Sequence, residues 1–193
     1  MDKSMSAELY LSFAAVFHRP NQDVSDHLEE LIDLWSEVIP DIEGLVQKLR
    51  IFCHQFPQGE QRLNTLWEHY IPLFETGAVE ASPYASVYLG KEGLVLGKEA
   101  LNVQQFYTNC GYVMGAKSRE LPDHLAVELE FCAMLARNGQ DESLIKFQIK
   151  HLLPFLKIIL PRIQKTHRPV YSEVATILEV RKLNLQREGD LVG

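Results

Sequence analysis

A proline, an acid and an imidazole stand together at Pro122, Asp123 and His124, where an apolar pattern of helical period begins. Leu125, Leu129, Cys132 and Leu135 continue it on one face. Proline fits the first helical position because its φ is already set and its missing amide would have had no partner there. An acid beside it complements the positive end of the helix dipole. His124 fits less well, because a protonated imidazole is disfavoured at that end. As ordinary helix chemistry, His124 and Glu128 form an i,i+4 pair worth a few tenths of a kcal/mol. The chain must break before Pro122, and Gly111, Gly115 and Ser118 supply that break.

The rest of the sequence reads as helix after helix. Residues 5–18 carry Leu9, Phe13 and Phe17, and stop before Pro20. The spacing of Val24, Leu28, Leu31, Trp35 and Val38 predicts an amphipathic helix over 24–38. A helix over 41–56 ends at Pro57 and Gly59. Another spans 60–74, with Leu63, Leu66, Trp67, Tyr70 and Phe74 inward, and Pro72 loosening its last turn. Residues 75–97 differ: Gly77, Pro83, Gly90, Gly93 and Gly97 interrupt them, and Val87–Leu89 suggests a short extended stretch. A segment of this length with such aromatic content is expected to be an ordered loop. Helical patterning returns over 98–110, from Pro122 to Asn138, over 141–165 with kinks at Pro154 and Pro161, and over 170–186, before a frayed tail. The expected architecture is all-α, a bundle of roughly 8–10 helices with a long ordered loop in the middle. The break near 111–121 suggests an N-terminal part, 1–115, and a C-terminal part, 116–193, which could also pack as one domain.

Charge and composition narrow the function. The chain has 193 residues and a net charge of −7. Such a balance disfavours nucleic acid and favours a basic partner. Eight acids from Asp23 to Glu43 precede the next base, Lys48, and Asp26, Glu30, Asp33 and Glu37 fall on the wet face of the 24–38 helix. Cys53, Cys110 and Cys132 are widely spaced and odd in number, which argues against a disulfide framework and for buried thiols in a reducing compartment. No secretory pattern and no apolar run of spanning length is present, so a cytoplasmic protein is expected.

Motifs for chemistry are missing. Gly93-Leu94-Val95-Leu96-Gly97-Lys98 resembles a phosphate loop, but only three residues separate the glycines and Glu99 follows the lysine. His124 and Glu128 share a helix face, yet the sequence holds neither Glu-x-x-His nor His-Glu-x-x-His. No nucleophile elbow occurs and no cysteine is set to be activated. No catalytic residue, metal or cofactor is therefore expected, and recognition of a polypeptide remains.

Pro122-Asp123-His124 followed by Glu128-Leu129-Glu130-Phe131 resembles the signature of the TorD/DmsD-type redox-enzyme maturation chaperones. Tyr70-Ile71-Pro72-Leu73-Phe74, followed by Ser82-Pro83-Tyr84-Ala85-Ser86-Val87-Tyr88-Leu89, resembles a second block of that family, in the right order. The resemblance implies a cytoplasmic, non-enzymatic chaperone. It would bind the twin-arginine signal peptide and the apo catalytic subunit of a molybdenum-containing reductase, before cofactor insertion and export. A receiver for such a peptide needs an apolar groove with acid at one end. The resemblance assigns the groove to Tyr70, Phe74, Tyr84, Val87, Tyr88 and Leu121, and its shape to Pro83, Ser86 and Pro122. Asp123 would accept an arginine fork, with His124 orienting it and Glu128 as second acid. Two alternatives stay open: a nucleotide-binding or nucleotide-hydrolysing helical protein, and an assembly module that touches only a mature cytoplasmic subunit. Helix exchange across 111–121 would give a homodimer.

Overall fold

The computed structural model describes residues 3–75, 79–90, 93–115 and 119–190, with side chains described as far as Lys182. Residues 76–78 and 91–92 of the central loop, 116–118 of the expected break and exchange segment, and 191–193 of the expected tail lie outside the described residues.

Among the described residues the regular structure is helical throughout, as eleven α-helices in the order α1 (Lys3–Phe17), α2 (Gln22–Asp26), α3 (Leu28–Val38), α4 (Glu43–Gln55), α5 (Glu60–Tyr70), α6 (Ser86–Leu89), α7 (Lys98–Asn109), α8 (Leu125–Arg137), α9 (Asp141–Phe147), α10 (Leu153–Lys165) and α11 (Tyr171–Asp190). Among the described residues the one strand-like feature is an isolated antiparallel bridge between Tyr84 and His124. None of these helices is long and apolar enough to cross a membrane.

Contacts divide the chain differently from the cut near residue 115 that the sequence suggests. One compact unit combines residues 1–17 with 82–159, and the other combines 18–81 with 160–193. The physical reason for the first grouping is α1, which lies along α8. Both helices are apolar on more than one face. Leu9, Phe13, Ala14 and Phe17 of α1, and Leu125, Leu129, Cys132 and Leu135 of α8, are almost wholly removed from water. A helix greasy on several sides must be enclosed, and local sequence order cannot say by what.

In the second unit the 24–38 helix is two helices. Asn21 caps α2 by accepting from the Val24 amide at 2.9 Å. The carbonyls at the end of α2 are then taken by side chains from elsewhere. Arg62 Nη1 donates to Ser25 O at 3.0 Å and Gln58 Nε2 to Asp26 O at 2.7 Å. The ladder restarts past His27, with Leu28, Ile32 and Trp35 facing inward. Arg62 itself is buried and fully engaged. Beside Ser25 O it reaches Phe56 O, Cys53 O and both carboxylate oxygens of Glu29, at 2.6–3.1 Å. That fork holds the Glu29 carboxyl below the usual range. Cys53 and Cys132 are buried thiols, and burial pushes Cys53 up to about 11; Cys110 is part-exposed.

Prolines act as loosening points. Pro72 lies in a π-helical turn over Ile71–Glu75, and a second such turn over Gln148–Leu152 leads into α10, whose second residue is Pro154. Widening the coil by one residue relieves the crowding between a proline ring and the carbonyl four residues back. Pro161, by contrast, is carried inside α10.

Replacing Arg62 with methionine leaves three backbone carbonyls and the Glu29 carboxylate without their shared donor. We expect a loss of about 3 kcal/mol or more in denaturant unfolding. Lysine should restore only part of it, since an ammonium cannot reproduce the planar fork.

Candidate functional site

The two sequence blocks around Pro83 and Asp123 meet inside the first unit. Ala85 donates its amide to Asp123 O at 2.9 Å, and Leu125 donates its amide to Pro83 O at 2.8 Å. Asp123 Oδ2 accepts the Ser86 amide at 2.7 Å, which ties the first turn of α6 to the entry of α8. Tyr107 of α7 donates its hydroxyl to Pro122 O at 2.7 Å, so a third element holds the same segment. Each bond contributes about 0.5–1.5 kcal/mol net, and each leaves a costly orphan if broken.

Proline is not the first helical residue of α8. Pro122 and Asp123 form a turn, His124 is the N-cap with extended backbone, and the helix starts at Leu125. The shift follows from the pairing with Pro83 O, which satisfies the Leu125 amide from outside the helix. The Asp123 side chain accordingly serves α6 rather than its own helix. His124 Nδ1 accepts the Ala126 amide at 3.2 Å. An accepting Nδ1 carries no proton, so the neutral ring holds its proton on Nε2, which stands 3.9 Å from Glu120 Oε2. Tyr84 packs edge-on against the imidazole and donates its hydroxyl to the same Glu120 oxygen at 2.8 Å.

Glu128 does not pair with His124. Its amide closes the first turn on His124 O at 2.9 Å, and its side chain points into the core, wholly buried, with neither oxygen hydrogen-bonded. Burial raises its carboxyl well above the usual range, and Asp123 and Glu99 push the same way. Glu99 faces the opposite influence: a 2.7 Å hydrogen bond with buried His151 Nδ1 holds it low.

The predicted residues thus fall into three groups. Pro83, Ser86, Pro122, Asp123, His124 and Glu128 are brought together but buried, Asp123 and Glu128 completely. An arginine fork from outside does not reach Asp123 in this arrangement. Tyr84, Val87, Tyr88 and Leu121 are half-buried on the same unit. Tyr70 and Phe74 belong to the other unit, where they are buried with Tyr171 in an aromatic cluster. Val87–Leu89 forms the helix α6 rather than an extended stretch. Glu120, Tyr107 and the Pro83 carbonyl escaped the sequence reading. Only Glu120 left a signal, as the first residue of the apolar–acidic run that opens α8. Among the described residues no group of three or more His, Cys, Asp or Glu side chains is placed to hold a metal.

This arrangement sits in a chain whose residues 33–159 match the family model of nitrate reductase delta subunits. The chain belongs to that family. Among its relatives, the chaperone protein TorD of Photobacterium profundum is 28% identical over 70% of this chain and 66% of its own length. The Tat proofreading chaperone DmsD of Salmonella typhi is 26% identical over 65% of this chain and 61% of its own. The chain therefore spans about two thirds or less of the length of these two relatives. A solved structure, described as a redox enzyme maturation protein of Archaeoglobus fulgidus, superposes with a TM-score of 0.61 at 25% identity and covers 93% of both chains. That match and the helical structure of the described residues bear out the all-helical expectation.

Two outcomes follow from the buried acids. Asp123→Ala removes the acceptor for the Ser86 amide and should cost about 1–3 kcal/mol in unfolding free energy. Glu128 holds its proton in the fold and releases it in the unfolded chain above the ordinary value of 4.5. The folded state thus binds more protons, and stability must fall as pH rises from about 4.5 towards the raised folded value. Glu128→Gln should flatten that decline and melt higher than the wild type at pH 8, as followed by circular dichroism.

Proposed function

We propose that this chain is a non-catalytic, cytoplasmic chaperone for a molybdenum-containing reductase. It receives the twin-arginine signal peptide and the apo catalytic subunit, and holds them until the cofactor is in place and export can proceed. Membership of the delta-subunit family and likeness to TorD and DmsD support the client class. The observation that carries the reading is the clasp itself. Buried Asp123 Oδ2 and His124 Nδ1 each accept a backbone amide, and the half-buried Tyr84, Val87, Tyr88 and Leu121 stand along the elements so fixed.

The role first assigned to Asp123 changes accordingly. It acts as a positioning residue that sets the shape of the receiving surface, and Glu120 is the part-exposed acid beside His124 and Tyr84. Burying three or four apolar side chains of a peptide gives roughly 5–10 kcal/mol. Ordering the peptide takes back about 2–5. A few charge-assisted contacts then bring the net to about −8 kcal/mol, a micromolar affinity that permits release.

Calorimetry with a synthetic twin-arginine leader tests this. We expect micromolar binding, weakened about tenfold by Leu121→Ser with the melting temperature unchanged. Asp123→Ala should lower affinity and stability together. Folded protein that gives no heat at high micromolar peptide would sink the reading. So would undiminished capture of a client lacking its leader, because that outcome makes the chain an assembly module for the mature subunit.

A further inference from the structure

Glu128 is an acid that the leader-binding reading leaves without a task. It stands in the first turn of α8, fully buried, and neither of its oxygens has a hydrogen-bond partner in the protein. Asp123 Oδ1 and Ser86 Oγ, on the two sides of the clasp between α6 and α8, are buried without a partner as well. An ionised carboxylate in such a place is costly unless a cation answers it.

The surrounding elements bring no buried cation. Lys3 of α1, Lys98 of α7, Arg137 of α8, Lys146 of α9 and Lys150 in the π-helical turn beyond it are all exposed. His124 is neutral, because its Nδ1 accepts the Ala126 amide, and His151 is engaged by Glu99. The charged groups that act on Glu128 are Asp123 and, from α7, Glu99, and both are acids. Tyr107 of α7 and Cys132 of α8 hold their protons more tightly, through burial first and Glu128 next. α1 adds exposed Glu8 and Tyr10, whose hydroxyl accepts from Gln148 Nε2. Asp141 and Glu142 of α9 are exposed, and Glu130 of α8 and Tyr88 of α6 are half-buried. Glu128 therefore stays neutral only by keeping its proton. That proton spares Asp123, whose Oδ2 accepts the Ser86 amide at 2.7 Å, a second enclosed charge.

We propose that the proton of Glu128 is the latch of the clasp: once it passes to solvent, two like charges are enclosed together, and α6 parts from the entry of α8 to let water reach them. The closed clasp binds one proton more than the open one. Opening thus grows about tenfold for each pH unit between the ordinary value of 4.5 and the raised value of the closed state. The inference rests on the leader-binding reading for one consequence alone. α6 carries Val87 and Tyr88, so an opened clasp removes that surface and the leader dissociates as pH rises.

Amide hydrogen exchange of the full chain, corrected for intrinsic rates, tests the latch between about pH 5 and pH 8. Protection of the Ala85 and Ser86 amides should fall about tenfold per pH unit in the wild type and stay level in Glu128→Gln. Low denaturant should leave this exchange unchanged, since a local opening exposes little surface. A fall that persists in Glu128→Gln, no fall in the wild type, or exchange that tracks denaturant as global unfolding does overturns the inference. A carbon-13 titration of the Glu128 carboxyl needs no variant. Its midpoint should lie above the ordinary range, and the Ser86 amide resonance should move with it. A midpoint in the ordinary range, or a Ser86 amide that ignores it, also overturns the latch. Calorimetry with a synthetic twin-arginine leader reads the consequence. Affinity should fall with pH in the wild type and hold level in Glu128→Gln, and a level wild type overturns the inference. A leader that binds neither protein at any pH overturns the leader-binding reading instead, while the exchange result still decides the latch.

Discussion

Two backbone hydrogen bonds and one side-chain bond between residues 83–86 and 123–125 fix the α6 segment of the first unit. They join a loop rich in turn residues to the opening of the helix that α1 encloses. Without them the α6 segment has only four helical residues and no capping side chain of its own. Such a segment is too short to persist alone. Asp123 therefore does more for the surface than an exposed acid could: it converts a loop into a fixed edge from which half-buried aromatic side chains project.

That arrangement carries a cost that is concentrated in a few places. Glu128 is buried without a hydrogen bond, and Leu96 adopts a backbone conformation that leucine avoids. Natural folds tolerate such departures where the surrounding packing overdetermines them, and they cluster at working surfaces. Phe106, Tyr107, Phe131 and Phe147 pack against one another and join α7, α8 and α9. In the second unit Arg62 plays the comparable part, gathering three carbonyls from α2 and the end of α4 around one buried guanidinium.

Much of the fold was legible because helical periodicity is a local property. The helices over 43–55, 60–70, 98–109 and 125–137 stand close to where apolar spacing put them. The resemblance of the Pro-Asp-His and Ser-Pro-Tyr blocks to a known family was also visible in residues alone. What failed were statements about direction. Pro122 looked like a first helical residue because its amide chemistry fits, but an amide satisfied by Pro83 O moved the helix start to Leu125. The 24–38 helix looked continuous because its stripe is, yet Arg62 and Gln58 take the carbonyls that would have continued it. Asp123 and Glu128 looked like surface acids because carboxylates usually are.

Amphipathic spacing, turn residues and the order of the motifs determined by themselves an all-helical chain, the place of its central loop and the family to which it belongs. Those features depend only on near neighbours along the backbone. Which acids are enclosed and how α1 joins residues far along the chain were decided by tertiary structure. They depend on hydrogen bonds and packing between segments dozens of residues apart, and neither composition nor periodicity encodes such distances.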